Sequence, residues 1–148
     1  MNILNVATIL CIGLLIGAEF SMSAFVNPVL NKLDVAAKAE ATRLFARLLG
    51  TVMPFWYVAS LLLLLSETII HMHNSAVVWL GVAVAFWGAA IALSIVSLVP
   101  INNRLAQMAA DGWTESTQRD HRKWDALHRA RVFALAVAMI FFLAGIGI

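Results

Sequence analysis

The chain has 148 residues, of which 62% are hydrophobic and only 12% charged, with a formal charge of +2. A soluble domain carries about a quarter charged residues and must cover its surface with polar groups, so this composition excludes that class and points to an integral membrane protein. One cysteine, Cys11, excludes an internal disulfide framework and every Cys-rich metal site, and the weak basic excess forms no nucleic-acid patch.

Four apolar runs are long enough to cross a bilayer as helices, at residues 3–26, 52–70, 76–99 and 127–148. Strands are excluded because the runs are far too long for a barrel and because lipid demands internally satisfied backbone groups. The first run, Ile3 to Val26, has no Lys or Arg ahead of it, so it reads as a retained span rather than a cleaved signal peptide. Gly13 and Gly17 within it form a GxxxG spacing that predicts close helix packing. Between the first two spans, Val35, Leu44 and Leu48 recur near helical spacing among Lys38, Arg43 and Arg47, which predicts an interfacial helix. Gly50 is expected to interrupt that helix, and Pro54 suits the first turn of the second span. His71 to Ser75 is a tight turn. Pro100 reads as the exit of the third span, and Pro100 to Asp125 as a polar connection with a short helix and a break at Asp111-Gly112. The expected fold is therefore all-α, one integral membrane four-helix bundle with short cytoplasmic-side connecting helices.

Charge sets an orientation. The first connection holds Lys32, Lys38, Arg43 and Arg47; the second holds no Lys or Arg; the third and its junction hold Arg104, Arg119, Arg122, Lys123, Arg129 and Arg131. The positive-inside rule places the first and third connections in the cytoplasm and both termini outside, with a bacterial inner membrane as the expected location. That topology brings Glu19, Ser23 and Asn27 of span one, Pro100, Asn102 and Asn103 of span three, and Trp124, Asp125, His128 and Arg131 of span four to one depth. An intramembrane carboxylate faces the bundle or a wet cavity. Glu19 is thus either a proton acceptor or substrate-orienting group, or half of an ion pair that fixes packing; its partner is Arg131, Arg43 or Arg47, and Ser23 stands close enough to support the same network. Trp124, His128 and Arg131 share one helical face. They offer an aromatic wall, a group suited to proton transfer and a cation for an anionic oxygen; the plainer reading is a basic and aromatic membrane boundary. Asn102 and Asn103 sit on adjacent helical positions, so at most one of them is central. His71, His73 and Glu67 lie near the outer turn and His121 at the opposite side, which leaves no complete metal site and favours a surface turn.

These residues resemble the DUF1772 membrane family, which includes the anthrone-oxygenase-like proteins. The resemblance rests on Gly17-Ala-Glu-Phe20, Phe25-Val-Asn-Pro-Val-Leu30, Val99-Pro-Ile-Asn-Asn-Arg-Leu105 and Trp124-Asp-Ala-Leu-His-Arg-Ala-Arg131; Leu127 stands where members often have Asn. It implies a membrane oxidoreductase that oxidises a planar phenolic or anthrone-like substrate with molecular oxygen and uses no metal or flavin cofactor. On that reading His128 accepts a proton, directly or through water, Arg131 stabilises the developing phenolate, Trp124 stacks on the ring, and Asn102 or Asn103, with Arg43 and Arg47, contact substrate oxygens. A competing reading is a non-enzymatic membrane binding or assembly protein with a lipid or partner-helix site; a transporter is a third. No nucleic-acid partner is expected, and homo-oligomerisation stays open.

Overall fold

The computed structural model describes residues 2–109 and 112–148. Four helices long and apolar enough to cross a membrane run at Ile3–Leu30 (α1), Val35–Ile70 (α2), Ala76–Ala106 (α3) and Glu115–Ile146 (α4). The chain is an all-helical integral membrane protein. Each start is capped by a side chain that accepts an otherwise unpaired amide. Asn2 and Asn5 cap one another's backbone at α1, Asp34 accepts from the Ala37 amide at α2, Asn74 from the Ala76 amide at α3, and Thr114 from the Thr117 amide at α4. Gly147, at φ +80°, ends α4 in the left-handed conformation that a residue without Cβ adopts freely.

The helices meet along seams that repeat every three and four residues. The buried positions include Asn5, Thr8, Ile12, Leu15 and Glu19 on α1; Tyr57, Ser60, Leu64 and Glu67 on α2; Leu80, Ala83, Trp87 and Ala90 on α3; and His128, Arg131, Leu135, Ala138 and Phe142 on α4. This is the seam spacing of helices packed side by side. Small residues allow α3 and α4 to approach: a Cβ at Gly145 would lie 2.8 Å from Leu80 Cδ2. Outside the seams, Leu10, Leu14, Leu62, Ile69, Val78, Val96, Phe133 and Ile140 are exposed, as residues facing lipid are.

Three features depart from the sequence reading. The connecting helices are continuous with the spans. Gly50 and Pro54 both lie inside α2, and α3 continues through Pro100 to Ala106, so the third connection narrows to residues 107–114; Asp111 of the expected Asp111-Gly112 break lies outside the described residues. A backbone in lipid has no water to replace a broken ladder, so a proline that removes one bond leaves the helix running. Pro28 and Pro100 are accommodated by π-helical turns at Met22–Val26 and Ser94–Leu98, where the Asn27 amide donates to the Met22 carbonyl and the Val99 amide to the Ser94 carbonyl. Each turn inserts one residue. Met22 and Asn27, consecutive buried positions, are five apart instead of four, and Ala90 and Leu98 are eight apart where the seam repeats at seven. Finally, Gly13 and Gly17 face outward, and a Cβ on either would meet nothing within 4 Å. The GxxxG spacing therefore packs against no described helix of this chain.

Candidate active site

The seams of α1, α2 and α4 place Glu19, Tyr57, His128 and Arg131 at one level, and all four are buried. Arg131 Nη2 donates to Glu19 Oε2 at 2.6 Å and to His128 Nδ1 at 2.9 Å. Arg131 Nη1 donates to Ser94 Oγ at 3.0 Å. Tyr57 O–H donates to Glu19 Oε1 at 3.0 Å, and the guanidinium stands 5.3 Å from the centre of the Tyr57 ring. Imidazole Nε2 lies 2.9 Å from the Glu19 backbone carbonyl. A carbonyl oxygen only accepts, so Nε2 carries the hydrogen. Nδ1 is then the ring's basic nitrogen, and it lies 3.1 Å from Glu19 Oε2. Trp124, one turn earlier on α4, stacks on the His128 ring with centroids 4.5 Å apart and planes 12° apart.

This cluster forms one end of a cavity of about 220 Å³. Glu19, Tyr57, Ser94, Asn102, Trp124, His128 and Arg131 supply its polar and aromatic surface, and Met22, Met53, Ile91 and Leu98 are among its apolar lining. A mostly apolar pocket with a few convergent polar groups is the usual form of a small-molecule site. Arg131 also lines it, and the Nε of its guanidinium is buried and has no hydrogen-bond partner among the described residues. A buried orphan donor is costly, and a ligand oxygen would satisfy it. Both π-helical turns flank the cavity, through Met22 and through Ser94 and Leu98; such turns recur at functional sites.

The structure brings Glu19, His128, Arg131, Trp124 and Asn102 around this cavity and leaves Asn103, Arg43 and Arg47 off its lining. Asn102 is the inward amide; Asn103 is exposed. Arg43 pairs with Glu40 through two nitrogens, and Arg47 Nε donates to the Ala106 carbonyl at 2.8 Å. Among the three candidate arginines, Arg131 is the partner of Glu19. Ser23 Oγ has no partner among the described residues and takes no part in the network. Asn27 Nδ2 donates to Asp125 Oδ1 at 2.7 Å, outside the cavity. Sequence reasoning missed Tyr57 and Ser94. The signal for Tyr57 was present: it is the chain's single tyrosine, in the middle of an apolar run.

At the opposite end of the bundle, Glu67 is fully buried; its Oε1 lies 3.4 Å from Thr8 Oγ1 and its Oε2 is 3.8 Å from His71 Nδ1. His71 Nδ1 also sits 2.8 Å from the Glu67 carbonyl oxygen, and His73 is exposed. Among the described residues no three His, Cys, Asp or Glu side chains gather as metal ligands. Cys11 Sγ contacts Ser60 Oγ at 3.4 Å within the α1–α2 seam.

No curated protein and no solved structure matches the chain significantly. Residues 41–141 match the anthrone oxygenase family. The matched stretch covers about two thirds of the chain and includes Tyr57, Ser94, Asn102, Trp124, His128 and Arg131, with Glu19 preceding it. By the extent of that match, this four-helix membrane protein belongs to the anthrone oxygenase family.

Proposed function

We propose that the protein is a membrane oxygenase that converts the activated CH2 of a hydroxylated anthrone-like substrate to a quinone carbonyl with molecular oxygen, without a resident metal or flavin. The observation that carries this reading is the unpartnered Arg131 Nε beside a carboxylate–imidazole pair at the end of an apolar cavity. Anthrone chemistry needs little else, because the substrate's own conjugated anion supplies the electrons. Glu19 takes the proton from the ring carbon, and His128 Nδ1, 3.1 Å from Glu19 Oε2, shares it. Both imidazole nitrogens are engaged inside the network, so His128 acts on the substrate through Glu19. Arg131 holds the developing phenolate oxygen by charge-assisted hydrogen bonding. Trp124 provides a flat wall for the rings, and Asn102 orients a substrate oxygen.

The carbanion then gives one electron to dioxygen, and the radical pair joins to form a carbon–peroxide bond. The stored proton returns to the peroxide. Loss of the second C–H proton cleaves the O–O bond, leaving a carbonyl and one water per dioxygen consumed. Reconstituted protein supplied with 1,8-dihydroxyanthrone should consume oxygen faster than protein-free bilayers and form one quinone per dioxygen, with the rate unaffected by a metal chelator. Oxygen uptake no faster than in protein-free bilayers would sink the reading.

The charge distribution supports a cytoplasmic location for the pole that carries Lys38, Arg47, Arg104 and Arg122, in a bacterial inner membrane with both termini outside. Single cysteines at Asn74 and Arg122, in a Cys11→Ser background, should react with an impermeant maleimide from the outer and inner face respectively; the reverse pattern would invert the orientation.

A further inference from the structure

We infer that the cavity opens sideways into the bilayer between α2 and α3, and that its ligand is an uncharged, lipid-soluble polycyclic phenol that enters from the hydrocarbon phase with its oxygen toward Arg131. Two interhelical hydrogen bonds frame the opening. On one side, Asn102 Nδ2 donates to the Ala46 carbonyl at 2.8 Å. On the other, Trp87 Nε1 donates to the Tyr57 carbonyl at 3.2 Å. Both tie α3 to α2, and between Ala46 and Tyr57 the helix rises about 16 Å. In and just beyond that interval the wall residues are also surface residues. Pro54 is exposed, and Val58 is 54% exposed, Ile95 64% and Val99 42%, yet all four line the cavity. They lie on two membrane helices and are wholly apolar, so this mouth faces acyl chains rather than water.

The interior is graded to match. The mouth is aliphatic, and Glu19, Tyr57, His128 and Arg131 lie at the buried end. Pro54 has no amide to offer the Gly50 carbonyl one turn earlier, and Gly50 and Pro54 both line the cavity. The usual intrahelical donor to the Gly50 carbonyl is therefore absent, and a ligand hydroxyl is one group that can take its place. The ligand is thus a flat apolar body with an acceptor oxygen at its leading edge and a hydroxyl donor elsewhere. A carboxylated or phosphorylated ligand would have to desolvate its charge in the bilayer before reaching the mouth.

The proposal rests on the oxygenase reading for its ligand class, and so for its probe, the unreactive 1,8-dihydroxyanthraquinone. Protein in phosphatidylcholine nanodiscs is mixed in stopped flow with vesicles preloaded with the probe, and binding is followed by tryptophan quenching. At fixed total probe, the observed association rate should fall in proportion as lipid is added, because the mole fraction in the bilayer is what the mouth samples. Val58→Phe/Ile95→Phe should slow association and dissociation alike, at least tenfold, with Kd changed less than threefold. Val58→Ala/Ile95→Ala should bind at least as fast as wild type, and decides the matter by a several-fold faster rate if the Phe pair does not fold. No binding to wild type, a rate indifferent to lipid, unchanged kinetics in both pairs, or a co-purified acyl chain that the probe does not displace would each overturn the proposal. Probe binding with no oxygen uptake from the matching anthrone would instead sink the oxygenase reading alone.

Discussion

Removing Arg131 alone should be strongly destabilising, and removing Glu19 with it should restore most of the loss. The pair is buried, with Glu19 3% and Arg131 9% exposed, and is held at 2.6 Å. Breaking a buried ion pair from one side strands the other charge, at about 3–5 kcal/mol. Arg131→Met also deprives His128 Nδ1 and Ser94 Oγ of their donors, so the upper half of that range is expected. Glu19→Leu strands the guanidinium and leaves the Tyr57 hydroxyl without an acceptor, with a comparable loss. In Glu19→Leu/Arg131→Met neither charge remains to be solvated, and apolar side chains of similar volume suit the surroundings. The double variant should therefore be more stable than either single variant, which requires a coupling larger than either single loss, about 4–5 kcal/mol or more. Denaturant titration of the four proteins in the same detergent, followed by helical circular dichroism, gives the cycle. Oxygen uptake with 1,8-dihydroxyanthrone should be lost in all three variants. Additive losses would refute the buried pair. A stable double variant that retained turnover would refute its role in the chemistry and favour a purely structural pair.

Three further outcomes follow from the same geometry. Tyr57→Phe removes the hydroxyl that donates to Glu19 Oε1; loss of a hydrogen bond to a charged group should cost about 1.5–3 kcal/mol in the same titration, and oxygen uptake should fall while quinone yield per dioxygen is unchanged. His128→Ala should keep a helical circular dichroism spectrum and lose anthrone-dependent oxygen uptake, since the Nδ1 acceptor and the ring stacked on Trp124 both go; an unchanged rate would remove His128 from the proton path. Gly50→Ala places a Cβ 2.7 Å from Asn102 Nδ2, which should destabilise by about 1–3 kcal/mol, and Asn102→Ala should relieve the clash so that the two losses are less than additive in unfolding experiments.

The four apolar runs and the meeting of Glu19 with span four were legible because both follow from helical period and membrane depth alone. Trp124, His128 and Arg131, spaced four and three apart, had to share a face. The choice of Arg131 over Arg43 and Arg47 was not legible. It depends on α2 continuing unbroken from Val35, which places Arg43 and Arg47 beyond the cavity, and on Glu40 standing three residues before Arg43. Gly50 and Pro54 read as a boundary by the rules of helices in water, whereas lipid favours a continuous ladder. The π-helical turns left a trace in the seam, as one extra residue before Asn27 and before Leu98, but that trace appears only once the seam residues are known. Tyr57 was overlooked because an aromatic residue in an apolar span ordinarily packs; its hydroxyl acquires meaning from Glu19 on another helix. The mouth between α2 and α3 is a property of the assembled surface, since Val58 and Ile95 are indistinguishable in sequence from any lipid-facing residue.

The most direct measurement is the fate of dioxygen labelled with the heavy oxygen isotope when wild-type protein in nanodiscs oxidises unlabelled 1,8-dihydroxyanthrone, read by mass spectrometry of the quinone at matched conversion beside the Glu19→Leu/Arg131→Met variant. The expected result is one labelled atom in the newly formed carbonyl, one in the water released, and conversion in the double variant no faster than in empty nanodiscs. An unlabelled carbonyl, or equal rates in wild type, double variant and empty bilayer, would contradict oxygenation at this site.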